Sequence, residues 1–159
     1  MKGIFKKTLA CAIAACALTS SVTAFAAGTW IDTDTVNGSA YVNGNKYDAK
    51  GVGSVYGNRY NYSIEESTEI TTKPLSSDEM KGFTLTINWH IKNDETGAQF
   101  GGFEGDSKTN TNKVSKSSTV DYVAPIKRFT AICTHAAYKK DSQGNDVRVL
   151  RANTETNNY

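Results

Sequence analysis

Between Gly82 and Lys92, the apolar residues Phe83, Leu85, Ile87, Trp89 and Ile91 alternate with Thr84, Thr86, Asn88, His90 and Lys92. Side chains of an extended chain point to opposite faces in turn, so this pattern predicts a half-buried β-strand with five large groups on one side. The core claims the apolar face. Any role of this strand in recognition therefore falls to its polar face, on Thr84, Thr86, Asn88, His90 and Lys92.

Shorter and more polar segments surround it. Residues 29–36 and 46–56 are strand-like in residue type, and each Asn-Gly pair, Asn37-Gly38 and Asn43-Gly44, predicts a tight type I′ turn, in which both central residues need positive φ. Gly57-Asn58 predicts another turn before a strand at 59–70. There Ser63, Glu65, Ser67 and Glu69 share a wet face, while Tyr60, Tyr62, Ile64, Thr68 and Ile70 share the other. Glu66 breaks that register. Ser76 and Glu79 form a Ser-x-x-Glu capping box, with room for about one turn of helix or 3₁₀ before Gly82.

Residues 93–97 predict a loop that returns the chain as a hairpin into 98–104. Residues 105–118 are Ser, Thr, Asn, Lys and Gly with a lone Val114, and predict a long exposed loop. Order is expected again at 119–124, before Pro125. In 127–139, Phe129, Ala131, Cys133, His135 and Ala137 share one face and Thr130, Ile132, Thr134, Ala136 and Tyr138 the other, as in a central strand. A turn at 141–145 leads to a strand at 146–152, and the polar tail 153–159 is expected to fray. Together these segments predict an all-β, single-domain antiparallel β-sandwich or small barrel of about 7–9 short strands.

The amino terminus changes the picture of where such a domain operates. Lys2, Lys6 and Lys7 precede a short alanine-rich apolar run, and Ala24-Phe25-Ala26 carries small residues at the positions a signal peptidase reads. This predicts a signal peptide over 1–26, a domain over 27–159, and secretion of a bacterial type. The alternative is lipid anchoring at the cell surface, because Ile13-Ala14-Ala15-Cys16 resembles a lipobox with Cys16 as the acylated residue. No stretch approaches the roughly 18 apolar residues of a membrane-spanning helix.

Three of the 18 Lys and Arg residues, and none of the 16 Asp and Glu, lie within 1–26, so the domain carries one more acid than base. That excess removes the basic footprint of a nucleic-acid binder. The Lys and Arg residues of the carboxy-terminal half, Lys139 among them, are interleaved with acids and predict a solvated mixed-charge surface. Of three cysteines only Cys133 falls in the domain, so stability has to come from packing rather than from an internal disulfide.

Candidate chemistry is sparse. Cys133 and His135 lie two apart on one strand, with Cα atoms about 6.5–7 Å apart, which is loose for a nucleophile and its base. No zinc spacing, EF-hand loop, phosphate-cradling loop or nucleophile elbow occurs, and no motif requires a cofactor. Aromatic residues carry the remaining signal. Tyr41, Tyr47 and Tyr56, together with His90, are the candidate ligand-binding residues, because tyrosine joins apolar area to a hydrogen-bonding tip. The function these features predict is a non-catalytic extracellular module that binds a glycan or a protein. The alternatives are a bacteriocin-like or membrane-active protein, whose amphipathic strands rearrange at a bilayer, and a small hydrolase built on two converging carboxylates.

Overall fold

The computed structural model describes residues 29–57, 62–100, 105–120 and 128–159. The signal peptide over 1–26, Cys16, Tyr60 and the segment around Pro125 lie outside the described residues. Nine strands occur among them: β1 (Thr29–Val42), β2 (Asn45–Gly57), β3 (Tyr62–Ile70), β4 (Phe83–Asn93), β5 (Gln99–Phe100), β6 (Gly105–Thr109), β7 (Lys113–Val120), β8 (Phe129–Lys140) and β9 (Asp146–Asn157). One helical turn, α1 (Ser77–Met80), precedes β4. Its capping box is complete: the Glu79 N–H donates to Ser76 Oγ (3.3 Å) and the Ser76 N–H donates to Glu79 Oε2 (2.9 Å).

The strands form two antiparallel sheets, the architecture of a β-sandwich. One runs β1-β2-β3-β7, the other β5-β4-β8-β9 with β6 also paired to β4. The alternation in β4 is realised in full: Phe83, Leu85, Ile87, Trp89 and Ile91 are all buried, and Thr84, Thr86, Asn88 and His90 are half-buried on the outer face. β8 is central, as its two-sided apolar character predicts. The interior nevertheless holds two apolar clusters. Phe83, Leu85 and Ile87 join Tyr47, Ile70, Val114 and Leu150 in one, and Trp89 and Ile91 join Val55, Ile64, Phe129 and Cys133 in the other.

Four expectations are corrected. Asn37-Gly38 is no turn, because β1 runs through it and the hairpin closes instead at Asn43 and Gly44, both with positive φ (50° and 79°). Gly38 serves a close approach: a Cβ there would stand 2.4 Å from the Val149 carbonyl oxygen on β9. Residues 105–118 are not a loop but mostly two strands, β6 paired to β4 and β7 paired to β3, linked through Asn110 (φ 55°). Both strands lie at the sheet margins and are largely wet, so backbone pairing, not apolar patterning, makes them strands.

The tail does not fray at 153. β9 continues to Asn157 with Thr154 and Thr156 fully buried, and Asn158 Oδ1 accepts the Phe129 N–H (2.8 Å). Lys139, finally, is buried rather than solvated: its ammonium donates to the carbonyls of Glu79 and Lys81 and lies 4.6 Å from the centre of the Phe83 ring.

Both sides of the sandwich are tied across the sheets. On one, Asp34 Oδ2 accepts the Glu155 N–H (3.0 Å) and Asp32 Oδ2 the Asn157 N–H (2.8 Å), so β1 carboxylates satisfy edge amides of β9. On the other, the link from β6 to β7 carries the chain from one sheet to its partner.

Candidate functional site

The polar face of β4 is the floor of an open groove of about 560 Å³ on the outside of the five-stranded sheet. Register dictates its composition. Thr86 stands opposite Ser107 of β6 and Ala136 of β8, Asn88 opposite Gly105 and Thr134, and Ala136 opposite Arg151 of β9. Tyr138, two residues along β8 and half-buried, closes one end. The lining thus combines hydroxyls, an amide, a guanidinium and an aromatic ring around the small, buried Ala136. Asp106 is the single carboxylate among its described lining residues. Asn88 Oδ1 is buried and has no hydrogen-bond partner among the described residues. An acceptor in that condition costs about 1–3 kcal/mol unless something donates to it.

A second polar group of residues lies inside, between the two apolar clusters. The His135 ring is fully buried, with Nδ1 3.1 Å from Thr68 Oγ1 and Nε2 2.9 Å from Thr154 Oγ1. Thr68 Oγ1 also donates to the Thr86 carbonyl (3.4 Å), which assigns the imidazole proton to Nδ1 and makes Nε2 the acceptor from Thr154. Two glycines make the space. A Cβ on Gly51 would stand 2.4 Å from His135 Cγ, and one on Gly53 would stand 2.3 Å from Thr154 Oγ1 and 3.1 Å from Cys133 Sγ.

Glu66 belongs to the same belt. It is 3% exposed, and neither carboxylate oxygen has a hydrogen-bond partner among the described residues. The nearby Cys133 thiol is only a weak donor. Burial pushes the Glu66 carboxyl up to about 8, opposed by Lys116. Burial and the neighbouring Glu66 push the Cys133 thiol up to about 12, and burial holds His135 down at about 4. At neutral pH the belt is a protonated acid, a neutral imidazole and an un-ionised thiol. Both imidazole nitrogens are engaged by threonines, so the ring is not oriented as a base toward Cys133.

The four candidate residues from the sequence do not converge. Tyr41 is 72% exposed beside the β1–β2 turn. Tyr47 is a core residue, stacked edge-on against Phe83 with ring centres 5.2 Å apart, and offers no surface. Tyr56 is half-buried at the far end of β2, roughly 33 Å along the strand from the pair Tyr41–Lys46 at about 3.3 Å per residue. His90 is half-buried on the outer face of β4, opposite Ile132. Tyr138 and Arg151 were missed as site residues. The polar face of β4 was visible in the sequence, but its neighbours are fixed by pairing with strands about 50 residues away.

Among the described residues no group of three or more His, Cys, Asp and Glu is arranged to hold a metal ion, and no helix is long and apolar enough to cross a membrane. No model of a known protein family matches the chain, and no curated protein is similar to it.

Proposed function

We propose that this chain is a secreted, non-catalytic binding module that takes a hydroxyl-rich ligand, a glycan, in the groove on the outer face of the five-stranded sheet. The observation that carries this reading is the open groove itself, floored by the polar residues Thr86, Asn88 and Thr134 around the small Ala136. Tyr138 supplies an apolar ring edge for a pyranose face, and Thr86, Ser107, Thr134 and Arg151 supply hydroxyl and guanidinium partners around it. Secretion rests on the basic head, apolar run and Ala24-Phe25-Ala26 of the amino terminus.

The test is binding to an array of bacterial cell-wall and host-surface glycans, followed by titration calorimetry of the best binder with Asn88→Ala and Tyr138→Ala. Each variant should weaken binding at least about tenfold, or about 1.4 kcal/mol, while Tyr41→Ala leaves it unchanged. An array with no binder, or a binder indifferent to both groove variants, would overturn the reading. Dye release from phospholipid vesicles by the same protein would move the assignment to membrane activity.

A further inference from the structure

The groove makes no use of Glu66, a buried carboxyl without a hydrogen-bond partner among the described residues. It sits mid-strand in β3 with two unpartnered oxygens. Every element packed against it contributes something definite. Its cross-strand partner on β2 is Gly53, which has no side chain to offer. Its partner on β7 is Lys116, the one cation among the described residues that acts on it, while Asp106 of β6 adds negative charge and Cys133 of β8 adds a neutral thiol. A neutral acid is tolerated in such a place. A carboxylate there lacks the hydrogen bonds that offset its dehydration; Lys116 opposes that cost only in part, and water lies beyond the β3–β7 ladder.

β7 is the strand placed to give way. Among the described residues it ends its sheet, pairs there with β3 alone, and buries only Val114 and Ser118, the latter accepting from Trp89 Nε1 (3.0 Å). We propose that Glu66 is a proton-operated latch on this edge strand: β7 is closed on β3 while the carboxyl is protonated, and ionisation opens the β3–β7 pairing so that the carboxylate reaches water. The opened edge of β3 presents a row of unpaired backbone groups, to which a further strand can add.

The sign follows from linkage. In the opened form the carboxyl regains its ordinary value, near 4.5, against about 8 when closed. Opening therefore becomes more favourable by about tenfold per pH unit between these values and levels off above the higher one.

Hydrogen exchange of the full chain, read peptide by peptide and corrected for the intrinsic pH dependence of exchange, tests this. Between pH 6.5 and 7.5, protection of the β7 amides should fall about tenfold while β4 and β8 stay protected, and Glu66→Gln should abolish that pH dependence. If Glu66→Gln does not fold, Lys116→Gln serves instead: without the cation the fall should extend to higher pH. Flat protection in β7, an equal loss in all strands, or a pH response unchanged by either substitution would each sink the latch.

Discussion

Gly51 and Gly53 show how a single missing methyl group determines which chemistry the interior can hold. Both lie in β2, where a side chain would ordinarily stabilise a strand, and both face polar groups: His135 at one, Thr154 and Cys133 at the other. Gly51→Ala would place its Cβ within the imidazole of His135, whose two nitrogens are already engaged, so the ring has no free rotamer to retreat to. The expected cost is about 1–3 kcal/mol, the range for overpacking, measured as a lower urea midpoint. His135→Ala in the same chain should recover part of that loss, since it removes the colliding ring. No recovery would mean that Gly51 is required for the strand itself.

The same residue scale explains what was legible at Glu66. It stood out in the sequence as the one break in the alternation of its strand, and the structure buries it where the register says an apolar residue belongs. The break was the signal. Its meaning needed both sheets, because the partners that make the site polar come from β7, β8 and β9, none of them near in sequence.

Among the elements, β4 and β8 were legible because each has a side that must be dry, and a period of two records that requirement directly. β6, β7 and the end of β9 were not, for a common reason. Their inward positions are Val114, Ser118, Thr154 and Thr156, few or hydroxyl-bearing, so the alternation exists without hydrophobic contrast to reveal it. Asn37-Gly38 failed in the opposite sense. The pair has the residue types of a turn, yet its glycine answers to the approach of β9.

That approach has its own fastening in the Asp32 and Asp34 carboxylates. Asp34→Ala should cost about 1.5–3 kcal/mol, the scale of a hydrogen bond to a charged group, and should speed exchange of the Glu155 amide more than that of its neighbours. An unchanged Glu155 exchange rate would show that the amide has another partner.

For the whole molecule, the two buried titratable groups of the belt act in opposite directions. Glu66, raised from 4.5 to about 8, contributes stability that is complete below pH 4.5 and is lost as pH rises toward 8. His135, lowered from 6.5 to about 4, contributes stability that is complete above pH 6.5 and is lost as pH falls toward 4. Between 4.5 and 6.5 the two slopes cancel. Their joint contribution is therefore a plateau with a short acid limb and a longer alkaline limb, the latter about 2 kcal/mol deep between pH 6.5 and 8 at 1.36 kcal/mol per unit. Urea denaturation across pH checks this: Glu66→Gln should remove the alkaline limb and His135→Gln the acid one. A single maximum that survives both substitutions would locate the titration elsewhere.

The fastening of β1 to β9 has a consequence in time. The hydrogen bond from Asn157 to Asp32 joins residues 125 apart, and the central pairing of β4 with β8 also waits for distant chain. Contacts of such range incur the loop-closure entropy before any packing offsets it, so folding should fall among the slow, milliseconds-to-seconds class of all-β domains. Until residue 157 arrives, every shorter piece of this chain holds one side of the sandwich open.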